Sequence, residues 1–302
     1  MWPTRSCVFI GISVALLSRA PTATAVTYVS NLAEAYTVGF SASPSPNFST
    51  ASLLWSSLGL SAPSAPRIAD HQAASHLMRY HLALPIGWSG GRPWGVVVVI
   101  PDAAREFRAN LQAFVAARDR LPLILVAPEV LTCGGAAGRT PEHYSYTPAE
   151  WDSLDRGDDF AFDDAGLAAV LADVHRLWGG EPKAFLTGWE AGGHTVWAQA
   201  LTRPERWRGV APVSTNYQRR GIDDSRFSSA PERARLPIQV FCENAPLGAA
   251  APSARFTDQQ TAQAMADARA HGFAPAPVRM VAGKHSALAA AVLSWCDSLA
   301  RR

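Results

Sequence analysis

Lys183-Ala-Phe-Leu-Thr-Gly-Trp-Glu-Ala-Gly-Gly-His194 is the stretch whose reading decides the fold. After Lys183, the apolar residues 184–186 read as a short strand. Gly188 and Gly192 then frame a tight turn centred on Glu190. His194, Trp197 and Leu201 recur at i, i+3 and i+7, the period of a helix, and Pro204 closes it. A strand turning this sharply into a helix presents the central side chain, here a glutamate, at the strand's carboxyl end.

Outward from that turn the chain alternates strands and helices. Upstream, residues 81–85 read as a strand. Trp94-Gly-Val-Val-Val-Val-Ile100 is an unbroken, mostly β-branched run, as expected of a strand buried on both faces. Phe107, Leu111, Phe114 and Val115 mark a helix, and residues 121–127 a second buried strand. A long polar and aromatic loop is expected over residues 128–162, a length that in compact domains is usually functional or disordered. Asp163 or Asp164 is expected to cap a helix carrying Leu167, Val170, Leu171, Val174 and Leu177, which Gly179-Gly180 ends. Downstream, strands are expected at 207–213, 237–241 and 278–282, a helix at 257–270, and a last helix through Leu288, Val292, Trp295 and Leu299. This alternation predicts an α/β fold, a doubly wound, mostly parallel sheet with helices on both faces. Such sheets bind ligands at the carboxyl ends of their strands. The loops to inspect are therefore Pro101-Asp102-Ala103, 128–162, 188–192, 214–217, 242–246 and Gly283-Lys-His285.

The strand order, the turn Thr187-Gly-Trp-Glu-Ala-Gly-Gly-His194, Asp163-Asp164 opening the preceding helix, and Gly283-Lys-His285 after the last strand together resemble the α/β-hydrolase fold over residues 80–300. The branch resembled is that of secreted polyhydroxyalkanoate-depolymerase and feruloyl-esterase-type esterases. The resemblance implies a nucleophile at the turn, an acid after the strand ending at Phe241, and a catalytic histidine at His285, in that chain order. Several residues depart from it. Glu190 stands where the family has a serine in G-x-S-x-G. After Phe241 the chain reads Cys242-Glu243-Asn244-Ala245, so Ala245 occupies the acid's position and Glu243 is the nearby carboxylate. After Ile100 it reads Pro101-Asp102 in place of His-Gly. A serine-esterase mechanism is not available through this turn.

Glu190 has several chemical roles open to it. As a nucleophile it would attack an sp3 carbon, with His285 activating water against the enzyme ester. As a general base, with His285, it would activate water against an ester or glycosidic bond. Paired with Asp102 at a neighbouring strand end, it would share a proton or hold a cation. It would equally plug a retired site, held by the following helix's N-terminus or by His285. The backbone around Asp102, Ala103 and Ala191 is the expected oxyanion region. Trp189, with Tyr144, Tyr146 and Trp151 of the long loop, suits stacking on a sugar or aromatic acyl group, or simply packs a lid. Arg219 or Arg220 would place a cation near the pocket. Glu243 is either a replacement acid or a solvated loop carboxylate. His194 is expected to pack on its helix, and His71, His76 and His81 to lie on the surface or in strands.

The chain has 302 residues, 48% hydrophobic and 17% charged, enough for a large core. Of its 27 basic residues two, Arg5 and Arg19, precede Val26, and no acid does, so a chain starting there balances its 25 acids. That leaves no electrostatic footprint for nucleic acid or an anionic membrane. Arg5, the uncharged run 7–17 and Ala23-Thr24-Ala25 fit a secretory signal peptide over residues 1–25, too short a run to span a bilayer comfortably. Residues 26–67 are expected to form a flexible Ser/Pro/Ala-rich arm, with a formal glycosylation acceptor at Asn47, and residues 68–302 the hydrolase-like domain. Export permits disulfides among Cys133, Cys242 and Cys296; Cys242 and Cys296 read as buried fillers. Zinc-type spacing is absent, and neither a metal nor another cofactor is expected. The expected partner is a small-molecule or polymer-derived substrate. The expectation is an exported hydrolase acting on ester-like or carbohydrate-linked substrates, against a non-catalytic binding or scaffold protein.

Overall fold

The computed structural model describes residues 68–133, 138–217, 222–244, 252–283 and 285–302. The expected signal peptide and arm lie outside the described residues, as do Asn47, Arg219, Arg220 and Ala245. The elements are strands β1 (Ile68–Gln72), β2 (Arg79–Ala83), β3 (Gly95–Ile100) and helix α1 (Phe107–Arg118), then β4 (Leu123–Pro128), α2 (Pro148–Asp155) and α3 (Asp159–Trp178). β5 (Ala184–Trp189), α4 (Gly192–Thr202), β6 (Trp207–Val213), β7 (Phe241–Glu243), α5 (Pro252–Ala270), β8 (Arg279–Val281) and α6 (His285–Ala300) complete them.

The eight strands form one sheet in the order β1-β2-β4-β3-β5-β6-β7-β8. β1 and β2 run antiparallel, and β3 through β8 pair in parallel. The two-residue period of a strand explains why β3 has no polar face. Val96, Val98 and Ile100 join the core beneath α3, α4 and α5, while Val97 and Val99 join the core beneath α1 and α6. β4 divides the same way, with Ile124 and Val126 on one side and Leu123 and Leu125 on the other. Burying each such side chain contributes roughly 1.5–3 kcal/mol, which is what fixes the register.

The structure moves several expected elements. The helix after the long loop starts earlier than Asp163: Asp158 is its N-cap, its carboxylate accepting from the N–H of Phe160 and Ala161 (2.9 and 3.2 Å). Asp163 is instead fully buried inside α3. The other end of α3 follows expectation, with Gly179 in the left-handed region at φ 67°. The segment 128–162 is not one loop. It contains α2, opened by a capping box in which Thr147 and Glu150 exchange side-chain and backbone hydrogen bonds. Its aromatic residues Tyr144, Tyr146 and Trp151 are buried against one another, with Tyr144 donating to the Val130 carbonyl (3.1 Å). The strand expected at 237–241 is displaced to Phe241–Glu243, with a single bridge from Ile238 to Val210 upstream of it. Cys133, Cys242 and Cys296 are buried free thiols. Among the described residues no helix is long and apolar enough to cross a membrane.

Candidate active site

The glycine-framed stretch folds as a sharp turn between β5 and α4. Glu190 at its apex has φ 37°, in the left-handed region that a residue with a Cβ adopts at a cost of about 1–2 kcal/mol. Three backbone hydrogen bonds hold it there. The Glu190 N–H donates to Val213 (3.0 Å), and its carbonyl accepts from Gly193 (3.0 Å) and Asn216 (2.7 Å). The glycines are required by close approach. A Cβ on Gly188 would lie 2.9 Å from Val196 and 3.0 Å from Ile100, one on Gly192 only 2.1 Å from the Pro101 carbonyl oxygen, and one on Gly193 2.4 Å from Thr215. The turn is therefore pressed against the ends of both neighbouring strands, β3 and β6.

Backbone strain gathers at these strand ends. Among the described residues, four non-glycine residues have positive φ. Three of them, Arg105 (55°), Glu190 (37°) and Ser214 (45°), follow β3, β5 and β6; the fourth, Asp119, caps α1. Positions of this kind persist only where the surroundings over-determine them, and they cluster at functional sites.

The Glu190 side chain is exposed at the turn. Its neighbour Trp189 points the other way, into the core beneath α1 and α6. There its indole packs against Phe114 and donates to the Asn110 side-chain oxygen (3.0 Å). His285 opens α6 two residues after Gly283, whose φ is 106°, and its ring meets Trp189 edge to face with centroids 5.1 Å apart. Trp189 is thus a support for His285 rather than an open stacking platform. Glu243 ends β7 and is exposed. Among the described residues no hydrogen bond or ion pair joins Glu190, His285 and Glu243. Asp102 and Glu190 do follow adjacent strands, Ile100 pairing with Gly188, but the Asp102 carboxylate is occupied by the Ala104 N–H (3.0 Å). Ala191 opens α4, so its N–H belongs to the group that has no intrahelical acceptor. His194 is buried and edge-on to Phe160, in keeping with a packing role. His71 packs against Tyr80 and Trp178.

Arg105, which the sequence did not single out, and Asp163, which it placed at a helix cap, organise the surroundings. Arg105, buried at 4% exposure, donates to the Ala103 carbonyl (3.3 Å) and the Cys133 carbonyl (2.9 Å). The Cys133 thiol in turn donates to the carbonyls of Pro101 (3.2 Å) and Asp102 (2.9 Å), and burial pushes it up to about 12. Asp163 accepts from the N–H of Leu131 (2.8 Å), the N–H of Thr132 (2.9 Å) and the Thr132 hydroxyl (2.6 Å). That hydroxyl lies 2.9 Å from the hydroxyl of Thr195 in α4. Burial pushes the Asp163 carboxyl up to about 7 against the opposing pull of these donors. The capping-box spelling of α2 and the Asp158-Asp159 start of α3 were missed sequence signals; no local pattern marks Arg105 as a cross-link.

No protein-family model matches the chain, and no curated protein matches it by sequence. Solved structures do resemble it. Poly(aspartic acid) hydrolase-1 from Sphingomonas sp. KT-1 superposes with a TM-score of 0.52 at 13% identity, over 78% of this chain and 99% of that one. The siderophore hydrolase EstA from Aspergillus nidulans gives a TM-score of 0.51 at 14% identity, over 80% and 97%. The S-formylglutathione hydrolase FrmB from Staphylococcus aureus gives 0.50 at 11%, over 77% and 96%. The chain has the α/β-hydrolase fold.

Proposed function

We propose that the protein is an exported hydrolase of ester-like or carbohydrate-linked substrates, small or polymer-derived, in which Glu190 and His285 replace a serine-based site. The observation that carries this reading is the strained, exposed Glu190 at the end of β5, held by backbone contacts from β6 and α4. A carboxylate retained for plugging a pocket would be buried and bonded. This one is exposed, and among the described residues its side chain has no hydrogen-bond or ion-pair partner.

The chemistry that fits is general-base hydrolysis. Glu190 takes a proton from water, and the water oxygen bonds to the ester carbonyl carbon. The N–H of Ala191 and the Asp102–Ala103 segment stabilise the oxyanion, as donors placed where charge develops do. The tetrahedral adduct then breaks its bond to the alcohol oxygen, which receives a proton from His285, and the proton held by Glu190 passes to His285 to restore both groups. The fold neighbours, each described as a hydrolase, support the reaction class. Export rests on Arg5, the apolar run 7–17 and Ala23-Thr24-Ala25.

A second reading, a non-catalytic binding or scaffold protein, draws on the missing contact between Glu190 and His285 among the described residues. A panel of chromogenic esters and glycosides, run with wild type and Glu190→Gln, separates the two. Turnover of some member that the substitution abolishes supports the hydrolase. No turnover by either protein, with unchanged ligand binding in the variant, supports the scaffold.

A further inference from the structure

Arg105 is a buried cation in an unusual setting. Buried charges are normally paired, yet among the described residues no carboxylate lies within ion-pair distance of this guanidinium, and its Nε has no hydrogen-bond partner. Its partners are two main-chain carbonyls, one on each of two adjacent strand-end loops. One is Ala103, in the loop after β3; the other is Cys133, in the loop after β4. The Arg105 backbone is held at φ 55°, and its N–H donates to the Asp102 carbonyl (3.2 Å). The Cys133 thiol closes the knot from below through Pro101 and Asp102. Pro101 is also the residue against which Gly192 of the β5–α4 turn, the elbow that carries Glu190, is pressed. The carbonyls of Pro101, Asp102 and Ala103 are thus tied to the side chains of Arg105 and Cys133, between the turn after β5 and the β4 loop.

We propose that Arg105 is a positioning residue for the oxyanion-binding segment: its guanidinium fork fixes the Asp102–Ala103 backbone so that its N–H groups face the reacting carbonyl beside Ala191. The inference rests on the hydrolase reading above and deepens it. A rigid planar fork suits the task because it reaches two carbonyls at once, which a single ammonium cannot do with the same geometry. Preorganised donors are the part of such a site most sensitive to small displacements.

The fold contains its own control. Arg118, at the far end of α1, is equally buried and donates to the carbonyls of Ala83 (2.9 Å), Leu123 (3.1 Å) and Leu84 (2.8 Å). It has the same chemistry, placed beside the end of the antiparallel β2 and the start of β4, away from the carboxyl ends of the parallel strands.

The test uses the full chain with Arg105→Lys, Arg105→Gln and Arg118→Lys. Peptide-resolved hydrogen exchange over residues 101–106 and mass-spectrometric alkylation of Cys133 by iodoacetamide read the loop without requiring activity; a buried protonated thiol is inert until the loop opens. Steady-state hydrolysis of p-nitrophenyl acetate reads the chemistry. Both Arg105 variants are expected to speed exchange and Cys133 alkylation at least tenfold. They should lower kcat by about 10–10²-fold with KM within about twofold, Lys less severely than Gln. Arg118→Lys should leave exchange over 101–106, alkylation and kcat unchanged. Unchanged exchange and alkylation in a folded Arg105→Lys protein would overturn the assignment. So would loosened exchange with unaltered kcat. If wild type turns over no ester while the variants still loosen the loop, the hydrolase reading is what has failed, and the oxyanion role falls with it.

Discussion

The indole of Trp189 and the imidazole of His285 meet edge to face, centroids 5.1 Å apart and planes at 73°. One belongs to the strand that carries the elbow, the other to the helix after the last strand. The packing therefore ties the two ends of the candidate site together through the core beneath α1 and α6. Trp189→Phe keeps a ring but loses the donor to Asn110. It is expected to destabilise the protein by about 1–3 kcal/mol in urea denaturation. In Trp189→Leu the ring C–H resonances of His285 should shift by tenths of a ppm as the aromatic neighbour disappears. An unmoved His285 spectrum would show that Trp189 does not hold it.

Gly192 cannot accept a side chain while the elbow stays pressed on Pro101. Gly192→Ala places a methyl group 2.1 Å from a backbone oxygen, so the turn or β3 has to shift. A loss of about 3 kcal/mol or more is expected, at or beyond the upper range of overpacking. Gly90→Ala, with nothing within 4 Å of the added carbon, should change stability by no more than about 0.5 kcal/mol. Equal urea midpoints for the two variants would contradict the packing described.

Asp163 makes stability depend on pH in a direction opposite to most carboxylates. Burial raises its pKa in the folded protein from 3.8 to about 7. The folded state therefore binds the proton more tightly than the unfolded chain, and the stability so contributed is complete below about pH 4 and lost as pH rises through 7. The contribution amounts to at most about 4 kcal/mol. Asp163→Asn lowers stability at pH 5 by about 1–3 kcal/mol, because an amide oxygen replaces only one of two acceptor oxygens. It should also remove the decline between pH 5 and pH 8. Parallel pH profiles for variant and wild type would show that the Leu131 and Thr132 donors keep Asp163 ionised.

The parts of this fold that were legible were those where local pattern and burial agree. Residues Gly95–Ile100 and Leu123–Pro128 form strands buried on both faces, within a residue or two of the unbroken apolar runs that announce them. The elbow was legible because its glycines answer to contacts within 3 Å, and the place of His285 because it lies four residues after the last strand, where the last helix begins. The misses have physical causes. β1 is an edge strand reading Ile-Ala-Asp-His-Gln, half exposed, with no alternation to reveal it. The two Asp-Asp pairs, 158–159 and 163–164, spell a helix start equally well. Which pair caps and which is buried depends on Leu131 and Thr132, about thirty residues away. Arg105 has no local signature, since its partners come from Ala103 and from a loop on another strand.

Strain at the elbow predicts a trade between stability and function. Glu190→Gly removes the Cβ at φ 37° and is expected to stabilise the protein by about 1 kcal/mol while removing the carboxylate. A destabilised Glu190→Gly protein would mean that the side chain itself supports the fold.

The central claim is that the Glu190 carboxylate does the chemistry, and the most direct test is kcat for one turned-over ester in wild type and Glu190→Gln, an almost isosteric exchange. General-base action predicts a fall of about 10²–10⁴-fold with KM little changed. A Gln variant as fast as wild type would contradict it.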